Sequence, residues 1–173
     1  MDGGPQMSGS AGDQTAAALA EMRQRVKGTN INEISLLATD YLNHFNEIVM
    51  VLDIIPDMPE CLEDAKSWQP KGYQDHFHDS VFSDKDLAIE AYEHSPPEYR
   101  AAFEDTVASL NKLVELGLAR IEDAAATGNG EAVRFASSTA SRDLQKLMDV
   151  VSAIINGLKP TIDREEIDIL LQA

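Results

Sequence analysis

Residues Asn30–Ile55 read NINEISLLATDYLNHFNEIVMVLDII, and their spacing decides the fold class. Ile34, Ala38, Tyr41, Phe45, Ile48, Leu52 and Ile55 recur at alternating intervals of four and three. That rhythm gathers them on one stripe of an α-helix and does not fit the period of two that a half-buried strand requires. Asn30 followed by Glu33 predicts a capping box at the start, and Pro56 blocks continuation at the end. The expectation is one long amphipathic helix over Asn30–Ile55.

The same rhythm returns downstream. Ser95-Pro96-Pro97-Glu98 reads as a capping box with proline in the first turn, launching a helix to about Ala126. Its predicted seam is Phe103, Val107, Leu110, Val114, Gly117, Ile121 and Ala124. Thr127-Gly128-Asn129-Gly130 supplies residues that tolerate positive φ, and Glu131–Asn156 resumes with Val133, Ala136, Ala140, Leu144, Leu147, Val151 and Ile154 inward. These patterns predict an all-α helical bundle built on a long antiparallel hairpin, with the first helix in its groove. An uncovered seam would let the bundle complete itself as a homodimer.

Shorter pieces surround these three. Met1–Thr15 is Gly-, Ser- and Gln-rich with little to bury, and is expected to be disordered. Thr15–Lys27 reads as a short helix closed by Gly28. The segment from Asp57 to Phe82, punctuated by Pro59 and Pro70, is too polar for long regular structure, with a short helix over Glu60–Trp68. Ser83 opens another short helix carrying Leu87, Ile89, Ala91 and Tyr92. The expected division is a disordered lead over 1–15, a bundle domain over 16–158 and a C-terminal amphipathic helix over 159–173.

At 173 residues with 43% hydrophobic content, one core and one domain are the natural solution. Thirty acidic side chains against fourteen basic ones give a net charge of -16, which repels phosphate backbones and anionic lipid. Neither nucleic acid nor a membrane is therefore an expected partner. The lone Cys61 excludes an internal disulfide framework, and no signal peptide or long apolar run is evident, which leads to the expectation of a cytoplasmic protein.

The last residues carry the most specific pattern. Glu166-Ile167-Asp168-Ile169-Leu170-Leu171, with Ile162 upstream, resembles the N-terminal segment of the flagellar switch protein FliM, which reads approximately LSQAEIDALL. In that family the segment is the docking helix for the phosphorylated chemotaxis response regulator CheY. The resemblance implies a CheY-type response regulator as partner, held through Ile162, Glu166, Ile167, Asp168, Leu170 and Leu171. Independently, Ile167, Leu170 and Leu171 make one apolar face flanked by acids at helical spacing. A bundle followed by a Gly/Pro break and a terminal acidic peptide also resembles the layout of the CheY phosphatase CheZ. The catalytic CheZ motif, similar to QDLTGQ, is absent: Asp143 and Gln145 are two apart and fall on different faces of a helix.

Asp40 and Asn43, three apart, share a face of the first long helix. Acid and amide at this spacing resemble the E-x-x-N signature of the CheC and CheX phosphatases. There the amide orients water and the acid positions the nucleophile beside an acyl phosphate. The resemblance implies phospho-aspartyl phosphatase chemistry, no resident cofactor, and Mg2+ carried by the partner. The competing reading is a solvated polar face on a purely structural or metal-binding bundle. Asp40, His44 and Glu47 stand at i, i+4 and i+7, Glu90 and His94 form a second pair, and Asp75-His76-Phe77-His78-Asp79 is a loop-like cluster. No di-iron repeat of the Glu-x-x-His type is present, and no metal site is expected.

Overall fold

A computed structural model describes residues 11–158 and 164–172. Among the described residues the fold is all-α, as the periodicity predicts, and its β-type pairing is an isolated bridge between Ile31 and Ala38. In chain order the α-helices are α1 (Ala11–Arg25), α2 (Asn43–Ile54), α3 (Cys61–Ser67), α4 (Tyr73–Asp79), α5 (Lys85–Glu93), α6 (Pro97–Ala126), α7 (Gly130–Ile155) and α8 (Arg164–Gln172).

The two longest helices, α6 and α7, are joined by Thr127-Gly128-Asn129. Gly128 takes a φ of +70°, and the Asn129 side chain caps α7 by accepting from the backbone N–H groups of Glu131 and Ala132. Gly117 of α6 faces Ala140 of α7 so closely that a Cβ on Gly117 would lie 2.9 Å from the alanine methyl. At their far ends the Tyr99 hydroxyl donates to the Gly157 carbonyl at 3.1 Å. Such pairings require the helices to run in opposite directions. Buried Leu110, Val114 and Ile121 meet Leu144, Leu147 and Val151 in one core shared with α2. The α2 helix runs antiparallel to α7, with the Ser35 hydroxyl donating to the Ile155 carbonyl at one end and Arg134 Nη2 2.9 Å from Asp57 Oδ1 at the other.

The first long helix is shorter than its seam suggests. A 3-10 turn over Thr39–Leu42 leads into α2, and residues 31–38 form a compact loop instead of a helical start. The capping box expected of Asn30 and Glu33 does not form, because no helix starts there, and Asn32 organises the loop instead. Its side-chain oxygen accepts from the N–H groups of Ile34 and Ser35, while the Leu37 carbonyl accepts from Asn32 N at 2.8 Å. The physical reason lies in four consecutive buried residues, Ser35, Leu36, Leu37 and Ala38. A helix cannot turn four adjacent side chains inward, whereas a tight loop with Leu36 at a φ of +59° can. Ile34, assigned to the seam by spacing, is 49% exposed.

Other boundaries also differ. The α1 helix begins at Ala11, so residues 11–15 are helical, and the rest of the lead expected to be disordered lies outside the described residues. Ser95 does not cap α6. It is buried, and its hydroxyl donates to the Ser35 carbonyl at 2.6 Å, leaving Pro96 and Pro97 to start the helix by their fixed φ. Residues 73–79, read as loop-like, form α4 because Tyr73 and Phe77, one turn apart, are both buried. No helix of the described residues is long and apolar enough to cross a membrane.

Candidate functional site

The segment after α3 is clamped along the start of α2 by bonds from side chains to backbone. Trp68 donates from its indole nitrogen to the His44 carbonyl at 3.1 Å and stacks on the His44 ring with centroids 4.6 Å apart. His44 Nε2 lies 2.9 Å from the Gln69 carbonyl. Because a carbonyl only accepts, that nitrogen bears hydrogen and Nδ1 is the bare acceptor, 3.8 Å from the Glu47 carboxylate. One turn back, the Tyr41 hydroxyl donates to the Lys71 carbonyl at 2.7 Å, and burial pushes its pKa up to about 12. The Tyr73 hydroxyl oxygen accepts from Ala38 N at 2.9 Å. Tyr41, Tyr73 and Phe103 join as an aromatic cluster with centroids 5.4 to 5.6 Å apart, which anchors the clamp to α6.

These contacts leave an open cleft of about 680 Å³ between the start of α2, the Trp68–Lys71 link, α4 and Ser80–Phe82. Asp40, Asn43 and Glu47 line one side, His44, Trp68 and Phe77 the inside, and Lys71, His76 and Asp79 the rest. A second hollow of about 350 Å³ is lined by Asn30, Thr39, Asp40 and Asn43. Asp40 and Asn43 border both and form a ridge between them. Asn43 is exposed and Asp40 half-buried. The Asn43 side-chain oxygen receives the Asn46 amide at 3.4 Å.

The charges inside the cleft are sorted. Lys71 Nζ lies 3.1 Å from Asp79 Oδ2, and that ammonium, with help from His78, holds the Asp79 carboxyl below its ordinary pKa. Burial lowers the pKa of both His44 and His76, outweighing the hydrogen bonds each makes to a backbone group of Gln69 and Asp40 respectively. Both imidazoles are therefore neutral at pH 7. The cleft offers a carboxylate, a primary amide, a neutral imidazole and an ammonium within one wall-to-wall space.

The structure thus brings Asp40 and Asn43 onto one ridge, but Asp40 belongs to the 3-10 turn and Asn43 is the first residue of α2, so the two do not share a face of one long helix as expected. It also places Glu47 beside them, but His44 is committed to Gln69 and Trp68. Among the described residues, no group of three or more His, Cys, Asp or Glu side chains is placed to hold a metal ion. Glu90 is bonded to Arg25 through two contacts of 2.5 and 2.7 Å, so its carboxylate oxygens are taken up by the guanidinium. Asp143 is buried while Gln145 is exposed and bonded to Ser141, so the two do not converge.

At the C-terminus, α8 lies against α6. Ile167, Leu170 and Leu171 are half-buried on the core, Glu166 and Asp168 are exposed, and Ile169 is 65% exposed. Arg164 reaches to 4.0 Å from Asp105, and a cleft of about 300 Å³ lined by Asp105, Thr106, Ser109, Ile167, Asp168 and Leu171 runs beside the contact. Ile162 lies outside the described residues. Sequence reasoning missed Trp68 and Lys71 as cleft residues, and had His76 and Asp79 only as members of a loop-like cluster. The spacing of Tyr73, His76 and Phe77 at i, i+3 and i+4 was the available signal for a helix there. No protein-family model matches the chain, and no curated protein or solved structure matches it either.

Proposed function

We propose that the protein binds a CheY-type response regulator through α8 and presents Asp40 and Asn43 to the regulator's aspartyl phosphate. The observation that supports this most directly is the state of α8. The Glu166-Ile167-Asp168-Ile169-Leu170-Leu171 run is helical, yet its apolar face is only half-buried on α6 and none of its residues is fully covered. An element held this lightly exchanges one apolar groove for another at little cost.

Docked through α8, the regulator is kept at high local concentration beside the bundle. In the reaction, water attacks phosphorus in line, a new O–P bond forms, and the bond to the aspartyl oxygen breaks. Inorganic phosphate and the free carboxylate result. The Asn43 amide orients the water, and Asp40 accepts its proton or pairs with a lysine of the regulator. Mg2+ carried by the regulator would supply the charge neutralisation of the phosphoryl oxygens.

Deleting residues 160–173 is expected to weaken binding to the phosphorylated regulator at least tenfold in a calorimetric titration. Equal affinity of the truncated and full chains would sink the tether. For catalysis, Asn43→Ala is expected to keep the helical circular dichroism and melting temperature but to remove accelerated loss of phosphate. A variant as active as the parent would rule the dyad out.

A further inference from the structure

The outer side of α2 continues past the dyad. Asn43, Glu47, Met50 and Ile54 recur at four, three and four, opposite the buried Phe45, Ile48 and Leu52. The Met58 backbone N donates to the Ile54 carbonyl at 3.0 Å, which carries the turn on and sets Met58 beyond Ile54. Met50 is 64% exposed, Ile54 43% and Met58 47%. The stripe is therefore polar where it begins, at Asn43 and Glu47, and apolar where it ends. Three large apolar side chains in succession are an unusual use of a solvated helix face.

Its charge surroundings are one-signed. Between Lys27 and Lys66 the chain has no lysine or arginine and eight acidic residues. Glu47, Asp53, Asp57 and Glu60 are exposed around the apolar residues, and the one cation reaching them in the described structure is Arg134, on Asp57. A second copy of this chain would set acid against acid on a protein already at -16, and an anionic bilayer would be repelled in the same way. The surface fits a protein whose own apolar patch is ringed by lysine and arginine.

We infer that the Met50–Ile54–Met58 stripe is the surface on which the body of the response regulator docks while α8 holds it, with basic side chains of the regulator set among the acids that flank the stripe. This rests on the response-regulator reading and adds to it a second contact, in line with the dyad. Three side chains cover far less than the roughly 800 Å² per partner of a self-sufficient interface. The stripe therefore orients a regulator already tethered and does not capture one alone.

The test uses the full chain and a purified CheY-type regulator activated with beryllofluoride. Ile54→Glu and, separately, Met50→Lys are expected to keep the melting temperature, both residues being exposed, and to weaken binding about tenfold with α8 intact. Ile54→Ala should weaken it less. Raising salt from low to about 0.5 M should weaken the parent complex further. If both charged variants bind as the parent does, while deletion of 160–173 abolishes binding, the contact lies in α8 alone and the stripe proposal is overturned with the regulator reading intact. Failure of the parent chain to bind overturns both. Concentration-dependent self-association in sedimentation that Ile54→Glu abolishes would identify a second copy as the occupant and overturn the stripe proposal.

Discussion

The α6–α7 pair and the clamp around the start of α2 are built on opposite principles. In the pair, each helix carries its own stripe, and the chain between them needs only a glycine and an asparagine cap. In the clamp, short pieces that would not be stable alone are fixed by single bonds between distant residues, such as Trp68 to His44, Tyr41 to Lys71 and Ala38 to Tyr73. Repetition makes the first robust to any one polar change. The second concentrates its stability in a few groups and in exchange leaves an open cleft beside them.

The contrast can be broken most forcefully at Phe103, where the two regions meet: its ring lies 5.4 Å from Tyr41, 5.6 Å from Tyr73 and 6.5 Å from Tyr92. Phe103→Ala is expected to cost about 3–5 kcal/mol in chemical denaturation, as for other buried aromatic truncations. A loss under 1 kcal/mol would mean the two regions are not joined there. Next comes Gly117→Ala. The new methyl would press on Ala140, and the overpacking cost of roughly 1–3 kcal/mol exceeds the helix-propensity gain of about 1 kcal/mol. Gly130→Ala, with nothing within 4 Å of the added methyl, is the control expected to show no loss.

Tyr41→Phe should cost about 1 kcal/mol, the value of one neutral hydrogen bond. Its effect should be local: amide exchange should quicken over residues 68–79 and not in α6 or α7. Uniform quickening would show that the clamp and the pair open together. The smallest effect concerns pH. Burial lowers the pKa of His44 and His76 in the folded protein below the ordinary 6.5, so the unfolded chain binds protons first as acid is added. Stability from these rings is complete above about pH 6.5 and is lost as the pH falls below it. His44→Asn should flatten the decline in melting temperature between pH 6.5 and 5, with His76 supplying what remains.

How much of this was legible follows the same division. Phe45, Ile48, Leu52, Leu110, Ile121, Leu144 and Val151 are where their spacing puts them, because a repeating stripe has only one way to be buried. Extending the stripe of α2 back to Ile34 failed, since spacing alone ignores the unbroken buried run from Ser35 to Ala38. Ser95 shows the other limit: a hydroxyl in a good capping position was drawn to a carbonyl sixty residues away. For the candidate site, the ridge of Asp40 and Asn43 was readable as a pair on one turn. Its neighbours Trp68, Lys71 and His76 were not, because they arrive by long-range bonds that no local pattern announces.

Ser35 joins three parts of the chain that are far apart in sequence: its carbonyl receives Ser95, its hydroxyl donates to Ile155 and also receives the Leu37 amide. The entrance to α2, the start of α6 and the end of α7 are thus linked through one residue, and opening any one of them breaks a bond that another shares. The loop that leads into the Asp40–Asn43 ridge is thereby tied to the start of α6 and the end of α7, so on the proposed reading the ridge is held in place before any partner arrives.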